Sequence, residues 1–307
     1  MDNKNYIKAV IDIGTNSCRL FLAKVEEKNK KISILEKLYK ETRITKLGNF
    51  IEEDSSINEN GILKLIEIIN YYNKKIKNYN CEKIIAFATS AIREAKNKNE
   101  IQKKICKETG IKINVITGAK EGEMTFLGTS KEFKEKIMLM DIGGGSTEFI
   151  FGDSNEIEYV KSFKLGAVRE TRKYFENDNY EKIQECKDDV RRRIDEIEKF
   201  KDRDFLFVGV AGTITTNVSV YEKMENYDTK KVHKYKLTRK NLEDNLKLFL
   251  SKPLEERKKI IGLQPERGEN VVSGTLIILE VMSILNREEI IASECDGLEG
   301  AMISLHK

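Results

Sequence analysis

Val10-Ile11-Asp12-Ile13-Gly14-Thr15-Asn16-Ser17-Cys18-Arg19-Leu20-Phe21 and Leu139-Met140-Asp141-Ile142-Gly143-Gly144-Gly145-Ser146-Thr147-Glu148-Phe149-Ile150 are two versions of one phrase. Each position in the second lies 129 beyond its counterpart, so Asp12 answers to Asp141, Gly14 to Gly143, Ser17 to Ser146 and Arg19 to Glu148. Both consist of an apolar run, an aspartate, a turn of small residues and a second apolar run. That pattern predicts a β-hairpin with a tight tip. Two such hairpins in one chain predict two related half-domains facing each other across a cleft.

The tips suit an anion. Backbone N–H groups converging at a glycine-rich turn form an anion-binding concavity, and glycine lets a ligand come close. Gly143, Gly144, Gly145 and Ser146 offer amides and a hydroxyl together, and Asn16 and Ser17 do the same in the first copy. A carboxylate beside bound phosphate is repelled unless a cation stands between them. Magnesium fits, since one or two carboxylates hold it alongside phosphate oxygens and water. Asp141 is the expected ligand, with Glu148 beside it. For Asp12 a metal role and a hydrogen-bonded turn aspartate are equally open.

Composition narrows the chemistry. The 307 residues suffice for two domains with buried cores. Charge nearly cancels, with 55 Lys and Arg against 51 Asp and Glu, so no DNA partner is expected. Basic clusters such as Lys28 to Lys31, Lys74 to Lys77, Arg191 to Arg193 and Arg257 to Lys259 read as solvated faces rather than binding sites. Five scattered cysteines without a C-x-x-C pair argue for a reducing compartment. With no long apolar run and no signal-peptide pattern, a cytoplasmic protein away from membranes is expected. The two histidines, His233 and His306, leave little room for a histidine base. Carboxylates, backbone amides and a cation must carry the chemistry.

Along the chain, strands are expected at Ile7 to Ile13, Cys18 to Val25, Lys31 to Tyr39, Lys83 to Ala88 and Lys112 to Ile116. Helical spacing marks Gly61 to Tyr79 and Lys98 to Thr109. The pattern restarts at Ile137, with a helix over Tyr180 to Phe200, a strand over Phe205 to Val210 and three further helical segments. Hairpins plus crossover helices make the class α/β. The expected division is 1–120 and 121–293, with a return of residues 294–307 to the first domain left open.

Three further segments follow buried strands. Val208 to Thr216 contains Gly212 and Thr213 where a helix opens, an expected phosphate-binding turn with Thr213 as the cap. In Ala88 to Ala95, Arg93 reads either as a phosphate ligand or as an exposed helix arginine paired with Glu94 or another acid. Thr117 to Glu123 places Glu121 near a helix N-terminus, which favours its ionised form.

Taken together, AVIDIGTNSCRL, ATSAIREA, ITGAKEGE, MDIGGGSTEF, VGVAGTITT and PERGENVVSGTLIIL resemble the Ppx/GppA family of exopolyphosphatases and guanosine pentaphosphate phosphohydrolases. The resemblance implies two ribonuclease H-like domains of the actin-like ATPase superfamily around a cleft. It implies magnesium-dependent release of terminal phosphate from inorganic polyphosphate, with guanosine pentaphosphate as the alternative substrate, and it admits a homodimer. Glu121 falls at the position of the water-activating glutamate. Asp141 and Glu148 match acids around the metal, and Gly143 to Ser146 with Asn16 and Ser17 match phosphate loops. Arg93 and Arg267 match the family's arginines. The sequence departs from the family at Lys120, Gly122 and Glu123 around the glutamate, and at Leu298, where an arginine is common. These departures keep a non-hydrolytic guanosine tetraphosphate or polyphosphate binder in view, and a kinase of the superfamily is a further rival.

Overall fold

A computed structural model describes residues 4–304 as a mixed α/β chain with two sheets. The first contains β1 (Lys4–Ile13), β2 (Ser17–Lys28), β3 (Lys31–Ile44), β4 (Lys83–Ala88) and β5 (Ile113–Val115), in the order β3-β2-β1-β4-β5. The second contains β6 (Ile137–Ile142), β7 (Thr147–Gly152), β8 (Ile157–Phe163), β9 (Leu206–Val210), β10 (Lys236–Thr238) and β11 (Glu289–Ala292), in the order β10-β11-β9-β6-β7-β8. Read from β8, the second sheet repeats the first and adds β10 as an antiparallel edge. In both, the hairpin strands are antiparallel and the next partner of the first strand is parallel. Both sheets therefore have the ribonuclease H-like arrangement, and the repeated phrase is the central hairpin of each.

Twelve helices accompany the strands among the described residues: α1 (Glu59–Asn78), α2 (Ser90–Glu94), α3 (Lys98–Thr109), α4 (Gly118–Thr129), α5 (Ala167–Tyr174), α6 (Ile183–Arg193), α7 (Ala211–Tyr221), α8 (Thr229–Val232), α9 (Arg239–Leu250), α10 (Leu254–Arg257), α11 (Val271–Ile284) and α12 (Gly297–Ser304). α1 follows its spacing: Leu65, Ile66, Ile69, Tyr72 and Ile76 are buried on one stripe, and Asn58 caps Gly61 N–H at 3.1 Å. The expected helix over Tyr180 to Phe200 is shorter. α6 ends at Arg193, and a separate 3-10 helix covers Asp195–Phe200. After β9 the chain forms six helices and two strands rather than three helical segments, because four-residue turns such as α8 and α10 show no periodicity. No helix among the described residues is long and apolar enough to cross a membrane.

The chain divides into two compact units. One runs through Gly128 and takes up the chain again from Gly297; the other spans Thr129–Asp296. The break falls in the last turn of α4, not ahead of it, because α4 packs on α12 within the first unit. There the Cα of Gly300 lies so close to α4 that a Cβ would stand 1.7 Å from the Met124 carbonyl oxygen. Lys8 Nζ donates to Met302 O at 2.6 Å, and Lys37 Nζ donates to the buried Glu299 at 3.0 Å. Residues 305–307 of the expected returning segment lie outside the described residues.

Two of the basic runs are solvated only in part: Arg191, Arg192 and Lys259 are exposed, whereas Arg193 and Arg257 turn inward in the second unit. Arg193 Nη2 donates to the buried Glu170 at 2.5 Å and to Asp189 at 2.8 Å, and Arg191 bonds the buried Glu280. Arg257 is fully buried, donating to Asp178 at 2.8 Å and to the carbonyls of Phe249 and Gly268 at 2.8 and 3.2 Å. Folding brings fixed acceptors to Arg193 and Arg257, which a count of charges along the chain does not show.

Asp189 clamps α6 to α5. Burial alone would raise its carboxyl, but hydrogen bonds from Tyr174 and Lys173, together with Arg193 and Arg192, hold it well below the usual carboxylate range. The folded state thus binds its proton less readily than the unfolded state. The stabilisation is fully present above the ordinary value of 3.8 and is lost as pH falls below it. In acid melts, wild type should lose stability steeply below about pH 4, whereas Asp189→Asn should start lower and show a shallower acid limb. Parallel curves would refute the clamp.

Candidate functional site

In each unit the sequence-predicted residues collect where parallel strands end, the usual ligand edge of such sheets. In the first unit β1, β4 and β5 are neighbouring parallel strands. Thr89 N–H donates to Ile13 O at 3.0 Å and Ile116 N–H to Ala88 O at 3.1 Å, so the three strand exits lie side by side. They deliver Asn16 and Ser17, then Arg93 on α2, then Glu121 on α4. In the second unit β6, β9 and β11 do the same, with Ser293 N–H donating to Gly209 O at 2.9 Å. Their exits deliver Gly143 to Ser146, then Gly212 and Thr213, then Ser293 to Asp296.

The hairpin tips are built alike. Gly14 N–H donates to Ser17 O and Gly143 N–H to Ser146 O, both at 2.9 Å. In the first tip the carbonyl of Asn16 accepts from Thr45 and Lys46, and that of Thr15 from Gly48. In the second, Gly143 O accepts from Ala167 N–H at 3.0 Å, and Gly144 O accepts from Val168 and Arg169 N–H at 2.9 Å each. Carbonyl and N–H point in opposite directions across a trans peptide, and the described chain has no cis bonds. Anchoring the carbonyls therefore turns the following amides, Asn16 and Ser17 in one tip and Gly144 and Gly145 in the other, away from the anchor.

The aspartates differ between copies. Asp12 faces Arg19 across the hairpin, and Arg19 Nη2 and Nε reach its Oδ2 at 2.6 and 3.0 Å. This pairing with Arg19 across the hairpin differs from the hydrogen bonds to its own turn that one of the two readings gave Asp12. At the same register Asp141 faces Glu148, so two acids share one face of the sheet. Glu148 is buried and accepts from Ser162 Oγ at 2.6 Å. Like charges directly opposite are destabilising unless other groups balance them. No group of three or more His, Cys, Asp or Glu side chains among the described residues is placed to hold a metal. A pair of carboxylates suits magnesium, which keeps water and substrate oxygens as its other ligands.

Arg93 and Glu121 meet. Arg93 Nη1 donates to Glu121 Oε2 at 2.9 Å and to Ile116 O at 3.2 Å, with both side chains about four-fifths buried. Glu121 lies in the first turn of α4, where Thr117 Oγ1 accepts from Lys120 N–H at 3.2 Å. Of the two readings of Arg93, the pairing with an acid is the one seen, but the arginine is largely buried rather than exposed, and the acid is the glutamate singled out from sequence.

At the third turn the helix opens at Ala211, whose φ of 70° lets the strand pass straight into α7. Thr213 is therefore not the cap; it lies inside the first turn and packs against Gly274 of α11. Arg267 lies over Gly212: a Cβ there would stand 2.0 Å from Arg267 Nη1. Arg267 Nε also donates to Gln264 Oε1 at 2.8 Å. Since only the end of a flexible side chain must move, Gly212→Ala should displace Arg267 with little loss of stability. Substrate KM should rise severalfold while the melting temperature stays within about 2 °C; an unchanged KM would remove Arg267 from the site.

Leu298, where an arginine is common, is fully buried in the core with Tyr6, Val10, Phe21 and Met124. Arg19 was missed as the counter-ion of Asp12, although its pairing with Glu148 across the repeat was a visible signal. Arg169 and Gly166, which seat the second tip, carried no such signal.

The sequence profile of the Ppx/GppA phosphatase family matches residues 9–307. The chain belongs to the Ppx/GppA phosphatase family. It is 42% identical over 310 residues to a bifunctional 3-dehydroquinate synthase/phosphatase of Fusobacterium nucleatum, covering 97% of this chain and 46% of that protein. The chain thus spans about half the length of that relative. Exopolyphosphatase 2 of Mycobacterium tuberculosis is 26% identical over 313 residues, covering 97% of this chain and 98% of that one. The crystal structure of the Aquifex aeolicus Ppx/GppA family member has a TM-score of 0.79 at 30% identity, covering 98% and 97% of the two chains. The Ppx/GppA resemblance carried by the motifs is therefore a family membership.

Proposed function

We propose that this chain is an exopolyphosphatase-type phosphohydrolase that releases terminal phosphate from inorganic polyphosphate by attack of water. The observation that carries the reading is the Arg93–Glu121 pair at 2.9 Å in the first turn of α4. A hydrolase needs a carboxylate held in one orientation to accept the proton of water, and Arg93 fixes Glu121 in that way. Glu121 takes the proton as the water oxygen bonds to phosphorus, and the departing phosphate chain leaves on the opposite side. In the unit that carries Glu121, the Asn16 and Ser17 amides that follow anchored carbonyls stabilise charge on the phosphoryl oxygens; Gly144, Gly145 and Arg267 are the phosphate-binding groups proposed for the second unit. Asp141 and Glu148 are the residues that would hold magnesium, which supplies charge neutralisation on the phosphate oxygens when bound. The Mycobacterium tuberculosis relative, named an exopolyphosphatase along its whole length, supports the substrate class.

The test is phosphate release from polyphosphate and from guanosine pentaphosphate in parallel, with magnesium and with chelator. Release from polyphosphate without an organic acceptor, abolished by chelation and restored by magnesium, is expected. Faster release from guanosine pentaphosphate would move the substrate. Binding without release would replace the hydrolase by a sensor, and release only with an acceptor would make it a kinase.

A further inference from the structure

The three peptide groups of the glycine tip are not held alike. Two carbonyls, of Gly143 and Gly144, are bound by backbone N–H groups of α5. The third, of Gly145, is bound by a side chain: Arg169 Nε donates to it at 2.7 Å. In the first copy the tip carbonyls of Thr15 and Asn16 accept from backbone N–H groups of residues 45–48. We propose that Arg169 is a positioning residue for the phosphate loop, fixing the Gly145–Ser146 peptide so that the Ser146 N–H faces the phosphoryl chain. The inference rests on the loop being a phosphate site, as in the function proposed above.

Glycine makes such a bond necessary. A flip of the Gly145–Ser146 peptide turns ψ of Gly145 and φ of Ser146; Gly145, without a Cβ, offers little resistance on its side, and the flip would aim a carbonyl at the substrate. A carbonyl facing phosphate repels it, whereas an amide attracts it. Arg169 is well placed to decide between the two. Its own N–H binds Gly144 O at 2.9 Å, so its main chain and side chain grip consecutive carbonyls. Gly166, one turn earlier, permits the approach: a Cβ there would stand 2.5 Å from Gly144 O. Behind the loop, α5 is held by Arg193 on Glu170 and by Lys173 and Tyr174 on Asp189, so Arg169 projects from a fixed support.

The experiment compares wild type, Arg169→Ala and Arg169→Lys as full chains with magnesium. Tripolyphosphate affinity is measured by calorimetry, and phosphate release is measured separately. Arg169→Ala should bind tripolyphosphate about tenfold more weakly, the scale of one charge-assisted hydrogen bond, with an unchanged melting temperature. Arg169→Lys should recover part of the loss. Low-millimolar guanidinium should restore binding to the alanine variant and leave wild type unaffected. Wild-type affinity in Arg169→Ala would overturn the proposal, as would a loss that follows melting temperature without guanidinium rescue. Failure of wild type to bind tripolyphosphate would overturn it together with the phosphate loop. Wild type that binds but releases no phosphate would refute only the hydrolase reading, and the affinities of the variants would still decide the role of Arg169.

Discussion

Replacing Glu121 by glutamine should lower phosphate release by about two to four orders of magnitude, the usual worth of a positioned general base, while substrate affinity changes little. The amide matches the carboxylate in shape and still offers Arg93 an oxygen, so the 2.9 Å contact has a replacement and α4 keeps its seat. What disappears is the capacity to take a proton from water. Arg93→Gln separates orientation from proton transfer: it leaves Glu121 basic but unheld, so a smaller fall in kcat is expected. Measurement of kcat and KM for polyphosphate, with melting temperatures as the control, distinguishes the cases. Turnover near wild type in Glu121→Gln would remove this residue from the chemistry.

Gly300→Ala should be the most damaging single methyl group in the first unit. The added Cβ would meet Met124 O at 1.7 Å and its carbonyl carbon at 2.5 Å, and a backbone group cannot swing aside as a side chain can. Either α12 or α4 must move. α12 is held by Lys8 on Met302 O, by Lys37 and Lys40 on Glu299, and by the burial of Leu298, Ala301 and Met302. Much of the displacement therefore falls on α4, less than one turn from Glu121. Overpacking costs about 1–3 kcal/mol, so the melting temperature should drop by several degrees. The kcat of the remaining folded protein should fall as well. Unchanged turnover at a temperature where the variant is folded would show that α12 does not support the site. Gly212→Ala is the contrasting case, because there the obstacle is a movable guanidinium.

Periodicity and turn chemistry made the hairpins legible, since both depend on residues close together in sequence. Lys83 to Ala88 and Lys98 to Thr109 were read with their observed bounds for the same reason. The site was legible as residue types: Glu121, Arg93, the glycine tip and Asp141 with Glu148. Their partners were not. Whether Arg93 met phosphate or an acid depended on bringing α2 beside α4 through β4 and β5, and no spacing along the chain encodes that pairing. Arg193 and Arg257 looked like surface charge because local composition does not show which carboxylates and carbonyls burial will bring to them.

By itself the sequence determined that this chain repeats a small-residue hairpin and that the repeat belongs to a phosphatase family, because motif order and local patterning survive in one dimension. The aligned repeat already set Arg19 against Glu148, and the structure adds that each faces the aspartate of its own hairpin, with Arg19 bonded to Asp12. Only the tertiary structure decided that Arg93 holds Glu121, and that α12 comes back to brace the helix carrying that glutamate. The last two are contacts between residues far apart in the chain. Strand pairing and close packing create them, and no local propensity specifies them.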